Sequence, residues 1–216
     1  DAAIETIKTI EELRDADVLL LQEMNLEAVE TIAGQLAYDY VFTPSTIHPR
    51  YGKEFGNAVL SKFPIINPTK IVLPNLWFSW FQSRNAARAE LDLGDEHIRV
   101  YSVHLDTIWT LPSWSTDQAD YLMEDAAQSD LFTIVGGDFN TWAPGSIQTL
   151  EEGLGQAGLI RLSAGTGHTF VSSGVGLTLD HIFSHPPVEF DSGVYRGSEA
   201  SDHFPVWAVM ELDIER

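Results

Sequence analysis

Two hydrophobic periods alternate along this chain. Ile4, Ile7, Ile10 and Leu13 recur every three residues, which predicts an amphipathic helix over residues 2–14. The apolar run DVLLL, residues 17–21, reads as a strand that ends in Gln22 and Glu23. A second helix is expected over roughly 25–37, then a strand at YDYVFT. Residues 43–56 carry Pro44, Pro49, Gly52 and Gly56 and read as a loop. NAVLS and IINPTKIVL are strand-like around the turn at Lys62, Phe63 and Pro64. RAELDL and HIRVYSVHL flank Gly94, Asp95 and Glu96, a hairpin signal. Over 115–129, Ala119, Leu122, Met123 and Ala126 share one helical face, with Ser115 or Thr116 as the N-cap. LFTIVGGDFN follows as a strand and a tight turn. A short helix near 146–153, a glycine-rich stretch and the strands LTLDHIFSH, VEFDSGVYR and PVWAVMELD complete the chain.

Mixed elements with several antiparallel pairs predict one α/β (α+β) domain over residues 1–216. Its expected form is a four-layer sandwich, two mostly antiparallel sheets packed together with helices outside. Alternations such as Val188, Phe190 and Val206, Ala208 fit strands buried on one face. The chain has 216 residues, 44% hydrophobic and 20% charged, enough for one large core. Its net charge of −20 repels phosphate backbones at long range and disfavours duplex DNA as a partner. The absence of cysteine excludes disulfides, thiolate metal sites and a cysteine nucleophile. No apolar stretch is long enough to span a bilayer, so a soluble protein is expected. The chain begins at Asp1 rather than Met, so a processed or trimmed N-terminus is expected. The compartment stays open, a secreted or periplasmic one included.

Polar residues gather where apolar strands end. Glu23 follows DVLLLQ, His104 follows RVYSV, and Asp138 and Asn140 follow LFTIVGG. Asp180 and His181 lie within LTLDHIF, and Asp202 and His203 precede FPVWAVM. Each alone is a strand-end cap or turn former; GGDFNTW by itself reads as an Asx turn closing a strand. Together they supply hard oxygen ligands and a carboxylate–histidine pair, the parts that metal-assisted phosphoester hydrolysis needs.

The segments LLLQEM, GNAVLSKFPI, VYSVHLD, GGDFNTW, LDHIF and SDHFPVW stand in an order that resembles the endonuclease/exonuclease/phosphatase superfamily. The resemblance runs from about residue 17 to 210. It implies Glu23 as the principal Mg²⁺ ligand, with Mn²⁺ or Ca²⁺ as alternatives, and Asp202 as a second metal-holding carboxylate. Asp138 and Asn140 would position the attacking water and the phosphate, with Asp138 activating the water. His203 would contact the phosphate and transfer a proton, oriented by Asp180. His104 would contact a non-bridging oxygen, and Arg88 the phosphate. Asn57 would line the site or merely start a strand. His181, next to Asp180 on a strand, is expected to point away from His203. The superfamily opens with a strand ending in an asparagine. That first strand is expected ahead of residues 2–14 and is missing from this chain.

The expected substrate is a small or lipid-linked phosphoester. LPNLWFSWF (73–81), with Trp77 and Trp80, and TIWTLPSWS (107–115) read as aromatic loops near the mouth of the site. They would stack on a base or sugar, rest in a lipid interface, or pack over the sandwich edge. His48, Arg50 and Lys53 form a small basic cluster that suits one phosphate. A basic groove around Arg50, Lys53, Arg84 and Arg88 would favour a nuclease of the same fold. A non-catalytic binding domain is the other alternative. No protein partner is expected.

Overall fold

The computed structural model describes residues 2–47, 52–74, 83–106, 112–143 and 145–212, with the backbone alone for 112–116. Helices α1 (Ala2–Thr9) and α2 (Glu11–Arg14) lead into β1 (Val18–Met24), and α3 (Leu26–Leu36) into β2 (Asp39–Ile47). Strands β3 (Glu54–Ser61), β4 (Ile65–Val72), β5 (Asn85–Asp92) and β6 (His97–His104) follow. Helix α4 (Pro112–Ala126) crosses to β7 (Phe132–Asp138), and α5 (Ser146–Gln156) leads to β8 (Ile160–Arg161). The remainder is β9 (Phe170–Ser172), β10 (Val175–Leu177), β11 (Asp180–His185), β12 (Phe190–Val194) and β13 (Val206–Met210).

Three apolar layers follow from strand periodicity. Side chains of a strand alternate between faces, so β1 sends Leu19 and Leu21 outward and Val18 and Leu20 inward. Outward, they meet Ile4, Ile7, Val29, Ile32 and Ala33 of α1 and α3. Inward, Val18 and Leu20 join Val59 of β3 and Ala87, Ala89, Leu91, Val100 and Ile134 of the second sheet. That sheet has six strands in the order β4-β5-β6-β7-β11-β8. Its outer face carries Tyr101, Val103, Val135 and Phe183 against Leu122, Ala126, Leu150 and Leu154 of α4 and α5. Strand pairs are antiparallel except β6 with β7, whose parallel pairing is spanned by α4. The fold is the expected sandwich.

Local chemistry explains the boundaries. Asn25 caps α3, its side-chain oxygen accepting from Ala28 N at 3.0 Å. The helix predicted over 2–14 breaks at Ile10, which is extended at φ −86° and ψ 121°. Ile10 and Leu13 stay buried, so the apolar period survives the break. The loop expected over 43–56 is largely strand. β2 runs on to Ile47 and β3 begins at Glu54, with a register shift between Pro44 and Thr46 that accommodates the proline. Gly56 marks a close approach there, since a Cβ would lie 2.0 Å from Thr43 O. The glycine-rich stretch holds β8 and the β9–β10 hairpin, which its composition concealed. Phe190, expected on a buried face, is 40% exposed.

β1 pairs only with β3 and β13 only with β12 among the described residues. Each therefore keeps one edge unpaired among the described residues. Met210 of β13 nevertheless packs in the same layer as Val18 and Leu20 of β1. No helix of the described residues is long and apolar enough to cross a membrane.

Candidate active site

One register line builds the site. His104 of β6 pairs with Asp138 of β7, and Asp138 pairs with Asp180 of β11. All three share the inward parity of Val100, Ile134 and Ile182, so three adjacent strands end in a histidine and two carboxylates on one face. His203 closes over this row. A single bridge to Phe170 holds its backbone, and its Nδ1 lies 2.8 Å from Asp180 Oδ2. Its Nε2 is 4.0 Å from Asp138 Oδ2, while His104 Nε2 is 3.5 Å from the same oxygen. From the facing sheet, Glu23 brings Oε1 to 4.0 Å from His104 Nδ1 and keeps its side chain 63% exposed.

Two non-glycine residues at this end have left-handed backbones: Glu23 at φ 56° and Asn140 at φ 52°. Asn140 tolerates this conformation and closes an Asx turn, donating its N–H to Asp138 Oδ1 at 2.9 Å. Glu23 sits at a register shift in β1 between Leu21 and Met24, a bulge that re-aims its side chain. Gly137 is required beside it. Its φ is 142°, and a Cβ would fall 2.1 Å from Val103 O of the parallel strand.

Burial and charge divide the titrating groups. Burial drives His104 well below the ordinary histidine value, helped by the positive Arg84 and His203 nearby. His104 is thus a neutral imidazole, and its contacts with Glu23 and Asp138 are dipolar rather than ionic. Burial, then the negative Asp180, pushes the Asp138 carboxyl up to about 7. Burial alone would lower His203; the hydrogen bond to Asp180 and the charges of Asp180, Asp138 and Asp202 outweigh it and raise it to about 9. The site therefore holds an imidazolium beside a carboxylate poised near neutrality, a pair of unequal acidity suited to moving protons.

The other expected residues separate. Asp202 is exposed next to His203, its Oδ1 accepting weakly from Ser201 Oγ at 3.4 Å. Asn57 is buried, its amide donating to Asn85 O at 2.5 Å and Asn85 Oδ1 at 3.1 Å, and among the described residues no hydrogen bond joins it to the row His104–Asp138–Asp180. His181 points away from His203, as expected, and is fully buried. Thr141 donates its hydroxyl to Thr178 O at 2.5 Å, so His181 Nε2, 2.8 Å away, carries the proton toward Thr141. Burial pushes His181 down to about 3, which keeps it neutral.

Arg88 requires a correction. Its Nη1 lies 2.9 Å from both oxygens of Asp125 on α4, and its Nη2 donates to Thr69. It faces the helix layer, paired in register with Tyr101, and is committed there. The buried cation at the site end is Arg84, about 13 Å back along an extended chain. Arg84 is 8% exposed, and its Nε donates to Asp106 Oδ1 at 3.2 Å. Its charge lowers both His104 and Asp138. Trp77, Trp80, His48 and Arg50 lie outside the described residues. Lys53 pairs with exposed Glu27 at 2.7 Å.

Thr169 gave no sequence signal of its role. It is fully buried and donates to Asp180 Oδ2 at 2.6 Å, while its Oγ1 accepts from the backbone N–H groups of Leu179 and Asp180. It fixes the carboxylate that orients His203. Phe170, next to it, lays its ring 4.8 Å from that of His203.

A model of the Endonuclease/Exonuclease/phosphatase family matches residues 2–203, and the chain belongs to this family of phosphoester hydrolases. A UPF0294 protein of Vibrio cholerae is 28% identical over 196 residues, covering 89% of this chain and 67% of the relative. An endonuclease/exonuclease/phosphatase family protein from Leptotrichia buccalis superposes with a TM-score of 0.77 at 20% identity, over 98% of this chain and 92% of the other. The mannosyl-6-phosphatase of Bacteroides thetaiotaomicron gives 0.71 at 19% identity, over 97% and 89%. D. rerio TDP2, complexed with a single-strand DNA product, gives 0.76 at 17% identity, over 97% and 91%.

Proposed function

We propose that this protein is a divalent-metal-dependent phosphodiesterase or phosphatase acting on a small or lipid-linked phosphoester. The observation that carries this reading is the row His104–Asp138–Asp180 across three neighbouring strands, closed by His203 at 2.8 Å from Asp180. Asp138 accepts a proton from the attacking water. The new P–O bond forms in line with the leaving oxygen, which departs as its P–O bond breaks. His203, cationic through Asp180, donates toward the phosphoryl group or the leaving oxygen. The free N–H of Asn140 and neutral His104 add dipoles where negative charge develops. No covalent enzyme intermediate is needed.

The donor set fits a hard cation. Glu23 and Asp202 present exposed carboxylates, and Mg²⁺ takes one or two of these plus water. No cluster of three metal-ligating side chains occurs among the described residues. Glu23, with Asp202, would hold the metal, which supplies Lewis-acid neutralisation of phosphoryl charge. The net charge of −20 and the engagement of Arg88 and Lys53 in ion pairs favour a small phosphoester over a duplex.

The test is turnover of bis-p-nitrophenyl phosphate, p-nitrophenyl phosphate, sphingomyelin and plasmid DNA, with Mg²⁺ and with chelator. Mg²⁺-dependent turnover of a small or lipid ester is expected, falling about 10²–10⁴-fold in His203→Ala. Full activity in chelator, or in His203→Ala, would exclude the mechanism. Selective cleavage of plasmid DNA would transfer the assignment to a nuclease.

A further inference from the structure

We infer that Trp142 is a positioning residue that sets which way the Asn140 carboxamide faces, an inference that rests on the phosphoester reading above. The indole Nε1–H of Trp142 donates to Asn140 Oδ1 at 2.9 Å. On its other side, Asn140 Nδ2 donates to Leu105 O at 2.8 Å. Leu105 follows His104, and its own N–H donates to Asp138 O at 2.9 Å. The amide is therefore clamped between an indole donor and a carbonyl acceptor, both tied to the ends of β6 and β7.

The clamp has a polarity. Rotating the amide by half a turn would set its NH₂ against the indole N–H and its oxygen against Leu105 O. Two hydrogen bonds would be lost and two like poles brought together in a site where Asn140 is 6% exposed. In the observed orientation the second N–H of Nδ2 makes no further hydrogen bond among the described residues, and Asn140 stands two residues from Asp138, its backbone N–H bonded to Asp138 Oδ1. That second N–H is the donor a phosphoryl oxygen needs. Without the indole N–H, Leu105 O alone would discriminate between the two orientations, and part of the population would present an oxygen to the phosphate instead.

The indole is itself held. Trp142 N donates to Asn140 O at 2.8 Å, closing a tight turn around Thr141. Thr141 is locked by Thr178 O and His181 Nε2. The Trp142 ring meets Phe170 edge-on at 5.4 Å, and Phe170 in turn lies against His203. The same aromatic pair thus braces the two groups, Asn140 and His203, that flank Asp138.

The experiment separates the hydrogen bond from the ring. Trp142 is replaced by Phe and, in a second variant, by benzothienylalanine, which keeps the bicyclic shape but puts sulfur where the N–H was. With bis-p-nitrophenyl phosphate and Mg²⁺, both variants are expected to lose about five- to tenfold in kcat while KM changes less than twofold. A merely structural role would leave the benzothienyl variant at wild-type kcat, and that result overturns the inference. In parallel, hydrogen exchange at the Trp142 indole N–H is followed by NMR in wild type and in Asn140→Ala. Exchange about tenfold faster in the variant is expected; equal rates would overturn the clamp. If the wild type turns over no phosphoester, the function proposed above fails, and the exchange measurement still decides whether Trp142 holds Asn140.

Discussion

At the scale of single residues, the site is governed by what burial does to charge and what partners do against it. His203 and Asp138 both bind protons more tightly in the folded chain than in an unfolded one. A raised histidine stabilises the fold fully below about 6.5 and loses that contribution as pH rises through about 9. A raised carboxyl also favours the protonated folded state, and its contribution is lost as pH rises from 3.8 through about 7. Both effects make the metal-free protein less stable toward alkaline pH, and Asp180 is a cause of both. Asp180→Asn should bring the His203 titration back toward 6.5 or below and flatten the fall in stability between pH 6 and 9. NMR titration of the His203 ring and denaturation midpoints across that range are the measurements. A His203 titration still near 9 in the variant would show that Asp138 and Asp202 alone hold the proton. The members of this site were legible in the sequence because each is a polar residue in or beside an apolar strand: Glu23, His104, Asp138, Asp180 and His203. Their supports were not. Thr169, Arg84 and Trp142 act through contacts made across strands and turns, and one-dimensional spacing carries no trace of such contacts.

At the scale of elements, strand parity decided where side chains went, and register decided which ones met. Parity is readable from sequence, which is why His181 could be assigned away from His203 and the three apolar layers could be anticipated. Which of the two faces turns toward the site is not readable, and the Arg88 expectation failed for that reason: Ala87, Ala89 and Leu91 face inward, so Arg88 faces α4. Arg88 pairs across the sheet with Tyr101, and both reach Asp125 of α4, the Tyr101 hydroxyl donating to Asp125 Oδ2 at 2.7 Å. Removing the cation would leave Asp125, 19% exposed, without its charge partner. Arg88→Met should therefore cost about 1.5–3 kcal/mol of stability by chemical denaturation, since Asp125 keeps the Tyr101 hydroxyl. It should change kcat/KM for bis-p-nitrophenyl phosphate less than twofold, and a large drop in kcat/KM with unchanged stability would return Arg88 to the phosphate. Gly137 makes the opposite case, an element fixed by the absence of a side chain. A methyl group 2.1 Å from Val103 O cannot be housed without parting β6 from β7, the two strands that carry His104 and Asp138.

At the scale of the whole molecule, charge is the dominant property. Thirty-two acidic residues against twelve lysines and arginines leave a surface that repels itself and any polyanion. The few described cations are largely engaged, as Arg84 is with Asp106, Arg88 with Asp125 and Arg99 with Glu90. Salt at physiological strength screens such a field beyond about 8 Å. Adding salt should thus raise the thermal midpoint by relieving self-repulsion. The same field distinguishes substrates. A nuclease that tracks a backbone with lysines and arginines loses affinity steeply as salt rises, because releasing its counterions into a saltier solution gains less entropy. This chain should behave in the reverse sense. Between low salt and about 0.3 M NaCl, kcat/KM for an oligonucleotide should rise, since screening removes a repulsion that slows encounter. For a singly charged diester, the dependence should be nearly flat over the same range. Rates measured on the two substrates in parallel settle the point. A steep fall with salt for the oligonucleotide would reveal a basic groove strong enough to override the net charge.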